Sequence, residues 1–94
     1  MREEVLAVLN GSRSELQAMG VRFLALFGST ARDEASVESD VDLLVELEPA
    51  TFDRYMDVKI LLEDRLGRRV DLITRKGLRE GARAAVERVA IRVA

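Results

Sequence analysis

Two short groups of residues carry the strongest chemical signal in this chain: Gly28-Ser29 and, after ten intervening residues, Asp40-Val41-Asp42. A glycine lets the backbone come close to a ligand, and a serine hydroxyl with the N–H groups that follow it offers donors to a phosphate oxygen. Two carboxylates at i and i+2 of an extended strand stand about 7 Å apart at their Cα atoms and point the same way. Their charges repel unless a cation lies between them. Magnesium suits that position, because it prefers hard oxygen ligands and takes only one or two carboxylates alongside water and substrate phosphates. Together the two groups predict a nucleotide site, with phosphates against the loop and a metal on the acids. By average residue usage, the four fixed positions would coincide by chance in roughly one chain of this size in a thousand. Taken singly, each group has a plainer meaning: Gly28-Ser29 is a turn into a helix, and Asp40 and Asp42 are solvated acids at a strand start.

Asp71 is a third acid, alone inside the apolar run Val70 to Ile73, where burial without a partner would be costly. A metal or an acceptor hydroxyl beside it would account for its place. In phosphoryl and nucleotidyl transfer, a third carboxylate either shares a metal with the pair or takes the proton from the attacking hydroxyl. Arg32, just after the loop, either neutralises phosphate charge or makes an ordinary surface ion pair. The chain has no histidine and no cysteine, which removes imidazole bases, thiol nucleophiles, disulfides and the usual zinc sites. Catalysis must then rest on carboxylates, hydroxyls and cations. Tyr55 and the methionines are expected in the core or on the surface, and Glu46 and Glu48 in solvent.

The elements that must position these residues can be read from periodicity. Glu3 to Leu9 suits a helix weakened at Asn10-Gly11, and Ser12-Arg13-Ser14-Glu15 resembles a capping box, which predicts two helical pieces or one kinked helix. Val21 to Phe27 is a short apolar, aromatic run that stops at Gly28, as a buried strand does. Ser29 and Thr30 can each cap a short helix through Glu34, with a loop from Ala35 to Ser39. Val41, Leu43, Val45 and Leu47 alternate with more polar residues, the mark of a strand with one apolar face, so that Asp40 and Asp42 share a side. After Pro49, Thr51 is expected to cap a helix with Tyr55, Val58, Leu61, Leu62 and Leu66 on one face, closed by Gly67. Arg69 to Thr74 reads as a third strand and 78–86 as helix. Val89 to Val93 fits a strand or a helical continuation, with a short terminal strand preferred.

At 94 residues, 48% hydrophobic and 34% charged, the sequence describes one globular domain, residues 1–94, with a single core. A net charge of −2 argues against a nucleic-acid backbone binder. No signal peptide or membrane span is visible, and a cytoplasmic protein is expected. Arg65, Arg68, Arg69, Arg75, Lys76, Arg79, Arg83 and Arg88 crowd the C-terminal third, as solvated faces or as a patch for an anionic ligand.

At Leu24-Ala25-Leu26-Phe27-Gly28-Ser29-Thr30-Ala31-Arg32, Ser39-Asp40-Val41-Asp42-Leu43-Leu44-Val45 and Gly67-Arg68-Arg69-Val70-Asp71-Leu72-Ile73-Thr74, the chain resembles the minimal nucleotidyltransferase family of the DNA polymerase β superfold. The blocks fall in that family's order and spacing over nearly the whole length. The resemblance implies an α/β (α+β) nucleotidyltransferase fold, a small mixed β-sheet flanked by helices. It implies Gly28, Ser29 and Arg32 on the nucleotide, Asp40 and Asp42 on Mg2+, and Asp71 as a third catalytic and metal-binding acid. The activity implied is Mg-dependent transfer of AMP from ATP to a hydroxyl, a tyrosine of a partner HEPN-domain toxin, by a type VII-like antitoxin. That helical partner implies a hetero-oligomer; a homodimer is the other arrangement left open. A catalytically silent antitoxin that acts by occlusion and a regulatory nucleotide-binding module are the alternatives. The family usually has glycine where this chain has Asp33.

Overall fold

The computed structural model describes residues 2–28, 40–74 and 91–93. Two helices open the chain, α1 (Arg2–Gly11) and α2 (Arg13–Ala18), followed by strands β1 (Val21–Phe27) and β2 (Val41–Leu47). Helix α3 (Phe52–Leu66) then leads to β3 (Val70–Thr74), and β4 (Ile91–Arg92) lies near the C-terminus. The expected short helix and loop at 31–39 and the helix at 78–86 fall outside the described residues.

The sheet order is β3-β2-β1-β4. β1 runs antiparallel to both β2 and β4, whereas β2 and β3 are parallel. A parallel pair needs a crossover between its strands, and α3 supplies it. Thr51 caps this helix by accepting a hydrogen bond from the Arg54 N–H at 3.2 Å, and Gly67 ends it in the left-handed region at φ 65°. Both ends match the sequence expectation. The short terminal strand also forms, pairing Ile91 with Leu26 and Arg92 with Ala25. The Arg92 guanidinium lies 5.2 Å from the centre of the Phe23 ring and helps hold β4 to β1.

The core lies between the helices and one sheet face. Leu24 and Leu26 of β1, Leu43 and Val45 of β2, and Leu72 of β3 meet Leu9, Leu16, Val58 and Leu62 from the helices. Burying a leucine completely stabilises the fold by about 1.5–3 kcal/mol, which makes this layer the main determinant of sheet register.

Two details depart from the sequence reading. Ser12 separates the two N-terminal helices, but its side chain makes no cap bond. Its backbone lies in the bridge region, at φ −97° and ψ 2°, rather than in the extended conformation of an N-cap, and its hydroxyl donates back to the Val8 carbonyl at 3.0 Å. Glu15, the other half of the expected box, forms a double hydrogen bond with Arg65 of α3 at 2.7 and 2.8 Å. The second departure concerns β2. Leu44 is buried on the face opposite the core and pairs with buried Ala25, so the strand is covered on both sides there. Glu46 on that face is half-buried rather than solvated.

Candidate active site

Three strand ends meet at one margin of the sheet. Phe27, the last residue of β1, is in register with Asp42, the second residue of β2. Asp42 is in register with Asp71, the second residue of β3. Because Val41, Leu43, Val70 and Leu72 turn to the core, alternation sends Asp42 and Asp71 to the face away from the helices. Adjacent strands lie about 4.8 Å apart, so the sheet itself sets two carboxyl-bearing residues side by side. Asp42 is half-buried and Asp71 exposed; Asp40, exposed, stands one residue before β2.

Gly28 follows Phe27 with φ 72°, a left-handed conformation that side chains disfavour. A Cβ built there would strike the Asp42 carboxylate, with the Asp42 Cγ only 3.0 Å away. The close approach inferred for this glycine is thus made, in the described chain, to the carboxylate of Asp42. Glycine answers two demands at this position, the backbone turn and the room for an acid.

Asp71 is exposed, so the cost of burial inferred from its apolar neighbours does not arise. The flanking apolar residues alternate: Val70 and Leu72 are buried, while Asp71 projects to the other side. Two residues that sequence reasoning did not assign to the site hold this strand. The Tyr55 hydroxyl donates to the Leu72 carbonyl at 2.5 Å, and the Glu63 carboxylate accepts from the Val70 N–H at 3.0 Å. Both come from α3 and grip the backbone on either side of Asp71. Tyr55 had a legible signal in its place on the apolar helical face; Glu63 had none. Ser29, Arg32 and Asp33 lie outside the described residues.

The donor set is one of hard carboxylate oxygens, with Asp42 and Asp71 juxtaposed by register and Asp40 two residues from Asp42. That chemistry fits a small divalent cation. Among the described residues no three acids gather closely enough to hold one ion together. Magnesium needs only one or two carboxylates when phosphates and water complete its shell, so the arrangement fits it.

A four-stranded mixed sheet with helices on its core face and paired acids at one margin defines a protein of nucleotidyltransferase fold. The chain belongs to the nucleotidyltransferase domain family, whose model matches residues 8–93. A solved structure assigned as a minimal nucleotidyltransferase superposes with a TM-score of 0.86 at 37% identity, covering 96% of this chain and 93% of that one. Protein adenylyltransferase MntA of Thermococcus cleftensis is 37% identical over 94 residues, 97% of this chain and 94% of the relative. MJ1379 of Methanocaldococcus jannaschii, assigned as a protein adenylyltransferase, is 44% identical over 61 residues, 62% of this chain and 61% of its own. No helix among the described residues is long and apolar enough to cross a membrane.

Proposed function

We propose that this nucleotidyltransferase is a Mg-dependent protein adenylyltransferase that moves AMP from ATP to a tyrosine hydroxyl of a HEPN-type toxin, and so acts as its antitoxin. The observation that carries the transferase reading is the in-register pair Asp42 and Asp71 with Gly28 set against Asp42. The protein class of the acceptor is supported by the names of the relatives in Thermococcus and Methanocaldococcus, and the toxin by the family resemblance of the motif blocks.

In this reading Asp40 and Asp42 would hold the ion, and Ser29 with the Gly28 backbone would receive the phosphates. Magnesium, when bound, neutralises charge on the phosphate oxygens during transfer. Arg32 is the cation that the motif assigns to the phosphates. Asp71 stands next to Asp42 and takes the proton of the attacking hydroxyl as its oxygen bonds to the α-phosphorus. The bond to pyrophosphate breaks, and pyrophosphate leaves with its electron pair. The half-buried place of Asp42 and the α3 grip on β3 fix the two acids before substrate arrives.

The test is incubation of the chain with α-labelled ATP, Mg2+ and a HEPN-domain toxin protein. Label is expected on a tyrosine of that protein, with Asp42→Asn reducing transfer by about a hundredfold or more. Equal transfer by Asp42→Asn, or none by the wild type under saturating conditions, overturns the proposal. Toxin rescue by Asp40→Asn/Asp42→Asn without label would place the chain among antitoxins that act by occlusion.

A further inference from the structure

Helix α3 is apolar on two sides. Val58 and Leu62 face the core, whereas Phe52 and Ile60 are 75% and 59% exposed, the large hydrophobic side chains left in solvent among the described residues. With half-buried Met56 between them, they recur every four residues and form one stripe opposite the buried face. Beside the stripe runs an exposed acidic row, Asp53, Asp57 and Asp64. Neither Asp53 nor Asp57 makes a hydrogen bond or ion pair among the described residues. Both line a cleft of about 320 Å³ between the end of α2 and the start of α3, with Thr51, Met19 and Arg54. Arg54 is already engaged by the Met19 carbonyl.

We infer that this face of α3 docks an amphipathic helix of a partner protein, one whose apolar residues cover Phe52, Met56 and Ile60 and whose Lys or Arg flank meets the aspartate row and enters the cleft. The charge pattern selects that occupant over a second copy. Two α3 helices paired antiparallel about a two-fold axis would bring the aspartate row against itself, which repels. The docking face belongs to the helical layer, while Asp42 and Asp71 open on the other face of the sheet. A partner held on α3 therefore leaves the acids of the same chain uncovered. The inference concerns binding alone and does not rest on the transfer reaction.

The test uses the full chain and three fluorescent, helix-stabilised peptides of equal length. One carries heptad-spaced leucines flanked by lysines, the second replaces the lysines by glutamates, and the third replaces the leucines by serines. The leucine–lysine peptide is expected to bind, with affinity falling as salt rises, and both others to bind at least about tenfold more weakly. Phe52→Ser/Ile60→Ser should weaken binding about tenfold or more while circular dichroism and Tm stay unchanged. Asp53→Asn/Asp57→Asn should weaken it and flatten the salt dependence. The inference is overturned if the leucine–lysine peptide does not bind, if either control peptide binds equally, or if the serine variant binds as well as wild type. It is also overturned if sedimentation finds a dimer that the serine variant converts to monomer, since a second copy would then be the occupant.

Discussion

The Asp42 carboxylate occupies the space where Gly28 would carry a side chain. Gly28→Ala must therefore move an acid as well as strain a turn. The strain costs about 1–2 kcal/mol for a left-handed alanine, and a displacement of about 1 Å at a reacting group can cost a hundredfold in rate. Gly67 provides the control: its φ is 65°, but nothing lies within 4 Å of an added Cβ. Gly67→Ala is expected to lower Tm with transfer intact, and Gly28→Ala to lower Tm comparably and lose transfer by about a hundredfold. Parallel thermal melts and labelling assays distinguish the two.

Asp42 and Asp71 are assigned different tasks, and they separate in a ligand-binding melt. A ligand at a hundredfold excess over its Kd stabilises the folded state by about 2.7 kcal/mol. For a domain of this size each kcal/mol raises Tm by about 4–8 °C. Mg2+ with a non-hydrolysable ATP analogue should raise the wild-type Tm accordingly, and Asp40→Asn/Asp42→Asn should abolish the rise. Asp71→Asn should keep the rise yet fail to transfer label. Loss of the rise in Asp71→Asn would make that residue a ligand of the ion rather than the proton acceptor.

Tyr55 is the single tyrosine of the chain, and its hydroxyl donates to the Leu72 carbonyl. Tyr55→Phe removes that bond at a cost of about 1 kcal/mol. The expected result is a lower Tm and a transfer rate reduced through the looser hold on β3. A second expectation concerns the product. Mass spectrometry of the chain after incubation with ATP should find no AMP on Tyr55, because its oxygen is turned to the backbone; a modified Tyr55 would contradict the described hydrogen bond.

Arg65 joins the two helical elements, meeting Glu15 at 2.7 Å and Ser12 at 3.3 Å. The Arg65 and Glu15 side chains are partly exposed, so the pair is screened. Arg65→Ala is expected to cost about 0.5–1 kcal/mol in denaturant melts. The cost should shrink in high salt, and transfer should be unaffected.

The alternation Val41-Asp42-Leu43 disclosed a strand and its two faces, since period two is written directly into residue types. Thr51 and Gly67 bounded α3 for the same reason: caps are local chemistry. What stayed hidden was long-range. Ser12 and Glu15 match a capping box, but Arg65, fifty residues from Glu15, draws Glu15 away. Asp71 looked like an acid in an apolar core until pairing with Asp42 gave its strand a face. That Leu44 is buried opposite the core depends on tertiary cover, which no window of sequence contains. The apolar run ending at Gly28 marks a turn in the sequence, yet the closeness of Gly28 to Asp42 needed the β1–β2 register. Ser29 and Arg32 lie outside the described residues, and their proposed roles rest on the motif alone.

The central position of β2 has a consequence for how the protein comes to work at all. Asp42 lies on the middle strand, Asp71 on the strand parallel to it, and Gly28 directly after the strand antiparallel to it. Long-range pairing of this kind forms late, because chain closure must precede the contacts that reward it. A fragment lacking β3 keeps at most Gly28 against Asp42, without the second acid, and no misregistered sheet can keep the constellation, since a one-residue slip turns every side chain to the opposite face. The juxtaposition of Gly28, Asp42 and Asp71 is consequently a readout of completed sheet pairing, present only once both neighbours of β2 are in register.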